Sequence, residues 1–434
     1  MPSSLFCLAL FYLFCFKFFS MQSVKYFIII LVGFFLIPDS KDKYPYNKSK
    51  PNIIFILSDD HTTNAISSYG SIYSDIAPTP NIDKIAREGA ILKNVFATNS
   101  ICGPSRASIL TGTYSNVNGY YKNYKGGVFD NSKWTFPKEL QKSGYNTALV
   151  GKWHLASEPK GFNYYKYHIS RGQQGFYWNP VYNENGNEIK EKGYATNLTT
   201  DFAIDWLDKR DKNDPFCLLL QYKAPHRQWQ PDSKYENLWE NIDLPYPATF
   251  NDNYVTRELT AGDTEMTMDY FCREDMKMIP PENLTQSEKR KWLSYGFKRN
   301  ETVFVDNELS EIENRKAKFQ IYIKDYLATI KSVDDNIGRV LDYLEENNLS
   351  KNTIIIYASD QGFFIGEHGW FDKRFMYEES IRMPFVIKYP GLIKPGTVNK
   401  DIITNIDFAP TILEMLALQA PKSVQGESFF SNLT

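Results

Sequence analysis

The stretch NIIFILSDD, residues 52–60, decides the fold, because it joins an unbroken apolar run to a pair of aspartates. Such a run is typical of a strand buried on both faces of a parallel sheet. Similar runs recur in PFCLLLQY (215–222), TIIIYAS (353–359) and PFVIKYPG (384–391), and amphipathic helical patterns such as Lys316–Glu346 separate them. The sequence therefore predicts an α/β fold, with a large mixed, mostly parallel sheet flanked by helices.

Polar residues come directly after three of these runs. The pair Asp59 and Asp60 follows the first run, His226 follows the second, and the pair Asp360 and Gln361 follows the third. In open α/β sheets, ligands bind in the crevice outside the carboxyl ends of the strands. These clusters, distant in sequence, are therefore predicted to meet in one active site.

The two acidic pairs offer only oxygen ligands to a metal ion. Carboxylate and amide oxygens favour calcium or magnesium over zinc. The alternative is that SDDH and SDQG are ordinary turns, in which Asp and Gly are common. The repetition of the pattern behind two buried strands favours a metal site.

The segment NSICGPSRASILTG, residues 99–112, places Cys102 at the start of a helical pattern. Pro104 fits the first position of that helix, where its missing N–H costs nothing. A helix N-terminus favours negative charge, lowers the pKa of a thiol and binds tetrahedral anions. Arg106, one turn later, can add a bidentate pair of hydrogen bonds. The alternative is a buried structural cysteine.

Two further segments contain basic residues suited to proton transfer or anion binding. GKWHLASEP contains Lys152 and His154, and GEHGWFDKRFMYEES contains His368 and Lys373. Four of the five histidines lie in such clusters, whereas His168 is predicted at the surface. A cation, a nucleophile, basic side chains and histidines together suit hydrolysis of a sulfate or phosphate ester.

The motifs also match those of a known family. CGPSRASILTG resembles the signature of the type I sulfatases of the alkaline-phosphatase-like superfamily, Cys-x-Pro-Ser-Arg followed by a Leu/Ile-rich stretch ending in Thr-Gly. SDDH, GKWH, APH, SDQG and GEHGWFDK also occur in the family's order. The resemblance implies a sulfatase catalytic domain of that fold over residues 50–420.

In that family a maturation enzyme oxidises the signature cysteine to Cα-formylglycine, an aldehyde that is hydrated at rest. One hydroxyl of the hydrate attacks sulfur and the alcohol leaves; the second hydroxyl then collapses to the aldehyde and expels sulfate. The resemblance implies that Cys102 is the formylglycine precursor and that a formylglycine-generating enzyme is a partner. It also implies one calcium ion, held by Asp59, Asp60, Asp360, Gln361 and the modified Cys102.

The resemblance assigns roles to the basic residues as well. Arg106 and Lys152 stabilise the hydrate and the sulfate, and His154 assists deprotonation and collapse of the hydrate. His226 is the acid that protonates the leaving oxygen. The implied substrate-binding residues are Lys152, His226, Lys373 and His368.

These motifs most resemble those of N-acetylglucosamine-6-sulfatases. The predicted substrate is therefore a sulfated carbohydrate of glycosaminoglycans or other sulfated polysaccharides. The alternatives are arylsulfatase or iduronate-2-sulfatase-like specificity, a phosphomonoester or phosphonate hydrolase on the same fold, and a non-catalytic sulfated-glycan binder. Phosphate-ester relatives usually ligate metal with additional histidines. A net charge of -2 and the absence of a long basic run argue against nucleic acid as a partner.

The ends of the chain and one internal segment differ from the rest. Residues 1–40 contain two apolar runs and predict a signal peptide, with a retained membrane anchor as the alternative. The enzyme is thus expected to be exported: periplasmic or secreted if bacterial, lysosomal or extracellular if eukaryotic. Residues 230–310 are predicted to be an insertion. Since the family usually continues into a small C-terminal domain, residues 421–434 are expected to begin a missing or truncated one.

Overall fold

A computed structural model describes residues 50–123, 127–300, 303 and 309–434. The predicted signal segment, residues 1–40, lies outside the described residues. Among the helices that are described, none is both long and apolar enough to cross a membrane.

The strands form one large sheet and one small hairpin. The described residues contain twelve strands: β1 (Asn52–Ser58), β2 (Ala90–Phe96), β3 (Asn146–Gly151), β4 (Tyr164–His168), β5 (Val181–Glu184), β6 (Asn187–Lys190), β7 (Phe216–Gln221), β8 (Thr353–Ser359), β9 (Phe364–Ile365), β10 (Phe371–Asp372), β11 (Arg382–Lys388) and β12 (Thr397–Thr404). The large sheet has the order β12-β2-β11-β8-β1-β7-β3-β4-β5-β6, and β9 pairs with β10.

The centre of the large sheet is parallel and its flanks are mixed. Strands β8, β1, β7, β3 and β4 run parallel to one another. β11 is antiparallel to both β8 and β2, while β5 and β6 continue as antiparallel strands beyond β4. The predicted mixed, mostly parallel sheet is confirmed.

Helices cover both faces of this sheet. The α-helical segments of the described residues are α1 (Pro80–Arg87), α2 (Cys102–Thr111), α3 (Ser115–Asn118), α4 (Phe136–Lys142), α5 (Ser170–Gln173), α6 (Ala195–Lys209), α7 (Gln286–Asn300), α8 (Glu311–Glu346), α9 (Glu378–Ile381) and α10 (Phe408–Met415). Side chains of β1 alternate between the faces, as strand geometry requires. Ile54 and Ile56 join the core formed with α1, α6 and α8. Phe55 packs instead on Phe136 of α4 and Phe408 of α10.

The register of the central strands positions the site. Ser58 of β1 pairs with Ser359 of β8, and Leu57 pairs with Gln221 of β7. The three strands therefore end at almost the same level. The residues that follow them meet at one edge of the sheet, which β3 also reaches through its pairing with β7.

The described residues of the segment 230–310 pack against the long helix α8. Phe250, Met268 and Phe271 contribute to a buried cluster that includes Trp229 and Tyr322. The same segment contains α7 and several short turns of 3₁₀ helix. It thereby forms one wall beside the carboxyl edge of the sheet.

Candidate active site

Three buried carboxylates form the centre of the candidate site. Asp59 and Asp60 follow β1, and Asp360 follows β8. One carboxylate oxygen from each lies within 4.8 Å of the others, and the backbone N–H of Asp60 donates to Asp360 Oδ1 at 3.2 Å. All three side chains are almost completely inaccessible to solvent. The parallel register of β1 and β8 brings them together across 300 residues of sequence.

Each carboxylate contacts one cationic side chain. Lys152 Nζ contacts Asp59 Oδ2, and Lys373 Nζ contacts Asp60 Oδ1. Arg106 Nε donates to Asp360 Oδ2 at 3.0 Å. The cluster is thus an ion-pair network excluded from water, in which each charge acts strongly on its neighbours.

Burial and mutual repulsion oppose ionisation of two of the aspartates. Burial, with Asp59 as a further contributor, raises the pKa of Asp60 to about 6 despite the opposing Lys373. Burial and the Asp59 charge also raise the pKa of Asp360 to about 7. Burial alone would raise the pKa of Asp59 too, but Lys152 and the other nearby cations hold it well below its usual range. The cations present therefore do not fully compensate the three acids.

The donor set fits a hard divalent cation. Asp59 Oδ1 and Gln361 Oε1 are buried oxygens that accept no hydrogen bond from the described residues. Gln361 also contacts Asp60 through its amide nitrogen. A bound calcium or magnesium ion would coordinate these buried oxygens and compensate the charge of the neighbouring carboxylates.

Cys102 is the first residue of α2, and its side chain faces this cluster. Its Sγ lies 3.9 Å from Asp60 Oδ1, and Asp59, Cys102 and His226 each offer a ligand atom within 4.8 Å of the others. The helix begins at Cys102, so Pro104 is its third residue and not its first. The prediction of a lowered thiol pKa is wrong. Burial and the Asp59 charge raise the pKa of Cys102 and outweigh the helix dipole.

Arg106 lies one turn further along α2 and is fixed by three acceptors. Besides Asp360, it donates from Nη1 to the backbone oxygen of Lys152 at 2.9 Å and to Gln221 Oε1 at 2.7 Å. Its Nη2 is buried and bonds to no described residue. The two N–H donors on Nη2 are therefore left for an anion. Sequence reasoning missed Gln221, although it ends a buried strand in the same manner as the acidic pairs.

Two histidines flank the cluster. His154 follows β3 with a left-handed backbone (φ 58), and its buried Nδ1 has no partner in the described part of the chain. His226 donates from Nδ1 to the Arg227 carbonyl at 2.7 Å, which directs its Nε2 to within 3.8 Å of Asp60 Oδ2. Burial lowers the pKa of each histidine well below its usual range. Burial therefore favours the neutral form of both imidazoles, and a proton taken up by His226 is released more readily than from an exposed histidine.

The two residues predicted from GEHGWFDK lie in different surroundings. Lys373 is in the cluster. His368 is not among the residues that contact it: its Nδ1 lies 2.8 Å from Asp252 Oδ2 and 3.0 Å from Arg257 Nη1. Its ring packs near Trp370. The structure therefore brings together every predicted site residue except His368.

A family model described as "Sulfatase" matches residues 51–418. The chain belongs to the sulfatase family. The resemblance inferred from the motifs is confirmed, and the protein is a hydrolase of sulfate esters.

Individual relatives agree with this membership. The chain is 44% identical over 396 residues to an N-acetylglucosamine-6-O-sulfatase of Bacteroides thetaiotaomicron, covering 87% of this chain and 70% of the relative. It is 28% identical over 418 residues to an arylsulfatase of Clostridium perfringens, covering 87% and 77%. A solved structure in complex with its substrate, D-glucosamine-2-N,6-O-disulfate, has a TM-score of 0.84 and 43% identity, covering 89% and 80%.

The remaining histidines of this sulfatase are both buried. His61 contacts Tyr357 through its ring and lies outside the groups of possible metal ligands found in the described residues. The prediction that His168 is at the surface is wrong, since it is fully buried and its ring lies 4.5 Å from that of Tyr182. The turn after β4 covers it so closely that a Cβ at Gly175 would come within 2.5 Å of the ring.

Two tyrosines that sequence reasoning missed hold the backbone of the sulfatase site. Tyr326 of α8 donates its hydroxyl to the carbonyl of Asp60 at 2.7 Å. Tyr177 donates to the carbonyl of His226 at 2.6 Å. One lies inside a long amphipathic helix and the other in a loop, so neither had a local signal that distinguished it from a core tyrosine.

Proposed function

We propose that this protein is an exported, calcium-dependent carbohydrate sulfatase that removes 6-O-sulfate from N-acetylglucosamine or glucosamine units of glycosaminoglycans or other sulfated polysaccharides. The observation that carries the proposal is the position of Cys102, buried at the start of α2 beside Asp59, Asp60 and His226. The identity of 44% to an N-acetylglucosamine-6-O-sulfatase supports the choice of substrate.

Asp59, Asp60, Asp360, Gln361 and the modified Cys102 would hold the calcium ion. Bound there, calcium supplies positive charge that compensates the acids and polarises the sulfate ester. The raised pKa values of Asp60 and Asp360 and the unpartnered oxygens of Asp59 and Gln361 support this assignment.

Cys102 is proposed to be converted to formylglycine by a maturation enzyme that reads Cys102, Pro104 and Arg106. As a hydrate, formylglycine supplies the hydroxyl that attacks sulfur and the second hydroxyl whose collapse expels sulfate. Arg106, with its free Nη2, and Lys152 bind the developing negative charge. The unpartnered Nδ1 of His154 accepts the proton that the hydrate gives up.

Three further residues act on the leaving group, on the sulfate or on the loop beside them. His226 Nε2 faces the cluster and delivers a proton to the sugar oxygen as the S–O bond breaks. Lys373 binds the sulfate from the side of Asp60. His368 positions the loop that carries Lys373 through its contacts with Asp252.

Mass spectrometry of the tryptic peptide ending at Arg106 tests the proposal most directly. Protein produced together with a formylglycine-generating enzyme is expected to contain formylglycine at residue 102 and to release sulfate from N-acetylglucosamine-6-sulfate. An unmodified cysteine in fully active enzyme would contradict the mechanism. Turnover of aryl sulfates with none of 6-O-sulfated sugars would refute the substrate alone. Turnover of phosphate monoesters in their place would favour a phosphatase.

Substitution of the cysteine separates the two halves of the reaction. Cys102→Ala is expected to abolish turnover without unfolding. Cys102→Ser is expected to accept one sulfate slowly and then stall, because a serine sulfate has no second hydroxyl to expel it. Cys217→Ala, which removes a free buried cysteine of β7, is the matched control and should remain active. Fast multiple turnover by the serine variant would contradict the elimination step.

A further inference from the structure

A cavity opens beside His226, and none of the three clustered carboxylates lines it. Its volume is about 470 Å³, and its lining includes Arg171, Gln174, Lys223, His226 and Arg227. His226 therefore lies near the carboxylate cluster through its Nε2 and also lines this cavity. A sugar whose oxygen is protonated by His226 would extend towards it.

Lys223 is a buried cation that has no anionic partner among the residues that the structure describes. Its side chain is 5% exposed and pairs with no carboxylate of the described residues. Its Nζ makes one long hydrogen bond, 3.5 Å to the Arg227 carbonyl, and lies 4.9 Å from the centre of the Tyr177 ring. Burial lowers its pKa to about 7, and Lys152 contributes in the same direction. An unpaired buried ammonium is costly, and a bound anion would compensate it.

Other groups in the lining are also free to bind. Gln174 Oε1 is buried and accepts no hydrogen bond from the described residues. Arg171 is exposed and, within the described part of the chain, forms no ion pair. Arg227, by contrast, is already held by Asp275, with 2.6 Å between Nε and Oδ1. The lining contains two acids, Asp275 and Glu274. Because Asp275 pairs with Arg227, only Glu274 remains to balance the charges of Lys223 and Arg171, and the net charge of the lining is positive.

The backbone fixes Lys223 relative to the proposed general acid. The N–H of His226 donates to the Lys223 carbonyl at 3.1 Å. Tyr177 donates its hydroxyl to the His226 carbonyl while its ring faces the ammonium of Lys223. The backbone of Lys223 is therefore tied to that of His226, and its ammonium lies against the tyrosine that also binds the His226 carbonyl.

We infer that this cavity binds a second anionic group of the glycan, a sulfate or carboxylate at a position that is not hydrolysed, and that Lys223 and Arg171 recognise it. The inference rests on the proposed function. The inference predicts that the preferred substrates carry two anionic groups. Such a substrate is 6-O-sulfated glucosamine that also carries an N-sulfate or that is linked to a uronic acid.

The test compares wild type with Lys223→Met on three substrates: 6-O-sulfated N-sulfoglucosamine, 6-O-sulfated N-acetylglucosamine, and the latter linked to a uronic acid. In wild type, kcat/KM should be higher for at least one doubly anionic substrate than for the N-acetyl sugar. The substitution should reduce that preference about 10-fold, the worth of one hydrogen bond to a charged group, mainly through KM. Whichever doubly anionic substrate loses its advantage identifies the anion. Lys223→Arg should restore part of the preference.

Lys166→Met is the matched control. Lys166 is equally buried but pairs with Glu191 at 2.8 Å and Glu184 at 3.3 Å. Its loss should lower the melting temperature and leave substrate preference unchanged, whereas Lys223→Met removes an unpaired buried charge and should not lower the melting temperature. Equal loss on all three substrates, or no change in preference, would overturn the inference.

A binding measurement separates this inference from the proposed function. N-Sulfoglucosamine, which lacks the 6-sulfate, should inhibit hydrolysis of an aryl sulfate competitively, and about 10-fold more weakly in Lys223→Met. If wild type fails to hydrolyse any 6-O-sulfated sugar, the proposed substrate is refuted. An inhibition constant unaffected by Lys223→Met would refute the cavity as an anion site, whatever the substrate is.

Discussion

At the scale of single residues, the two site histidines differ in their hydrogen bonds. Nδ1 of His226 is occupied by a carbonyl, so its Nε2 is left to carry a proton towards the cluster. His154 keeps Nδ1 unpartnered on the side of Lys152 and Asp59. The different hydrogen bonds of the two imidazoles thus favour different roles, one at the leaving oxygen and one at the nucleophile.

His226→Ala is therefore expected to affect substrates unequally. A sugar alkoxide is a poor leaving group and needs a proton, whereas a nitrophenolate leaves without one. Turnover of a 6-O-sulfated amino sugar should fall by roughly 10²–10⁴-fold, the usual worth of a positioned acid, and turnover of an aryl sulfate far less. His154→Ala, measured alongside, should impair both substrates. Equal losses on both substrates in the His226 variant would show that this histidine does not act on the leaving group.

At the scale of secondary structure, helix α1 depends on α8 for its N-terminus. Thr79 precedes α1 but does not cap it with its side chain. Asp334, inside α8, accepts instead from the backbone N–H of Ile82 at 2.9 Å and of Asn81 at 3.1 Å. A carboxylate 252 residues away thus satisfies donors that a local cap usually satisfies.

Asp334→Ala is expected to lower the free energy of unfolding by about 1–3 kcal/mol, because it removes the acceptor of the buried Ile82 N–H and of the partly buried Asn81 N–H. Urea or thermal unfolding measures this loss. Asp335→Ala, at the next position, is the control: Asp335 is partly exposed, pairs with Lys331 at 2.6 Å and with Lys234 at 3.2 Å, and accepts from the Tyr235 hydroxyl. Surface pairs of this kind contribute about 0–1 kcal/mol. Similar losses in the two variants would mean that the long-range cap contributes little.

At the scale of the whole molecule, the central parallel strands bring distant residues to one edge of the sheet. β1 and β8 are neighbours in the sheet, and each is followed by acidic residues. Repulsion among Asp59, Asp60 and Asp360 opposes the close approach of the two strand ends. A cation bound there would add to the stability of the folded state.

Calcium is therefore expected to stabilise the protein as well as to support turnover. Calcium at about one hundred times its dissociation constant adds about 2.7 kcal/mol to the free energy of unfolding. Differential scanning calorimetry should show a lower melting temperature after chelation and recovery with calcium, with magnesium as a weaker substitute. The shift should be lost in Asp360→Asn. An unchanged melting temperature and activity after chelation would contradict the metal site, and recovery with zinc alone would favour a phosphatase-like site.

The sequence by itself determined the central strands and the residues that follow them. Apolar runs such as residues 52–58 can be recognised as buried strands in the sequence, because burial on both faces of a sheet excludes polar side chains. The acidic pairs behind β1 and β8, and the order of the remaining motifs, then indicated the family. These features depend on residue type and spacing along the chain, which the sequence contains in full.

Only the tertiary structure decided what depends on neighbours from other parts of the chain. PFVIKYPG was correctly predicted as a strand, but its antiparallel direction is set by pairing with β8 and β2. The burial of His168, the raised pKa of Cys102 and the unpaired charge of Lys223 likewise have no local signal. The physical reason is that burial and charge compensation are properties of surroundings assembled from distant segments, and the spacing of residues along the chain does not specify which segments meet.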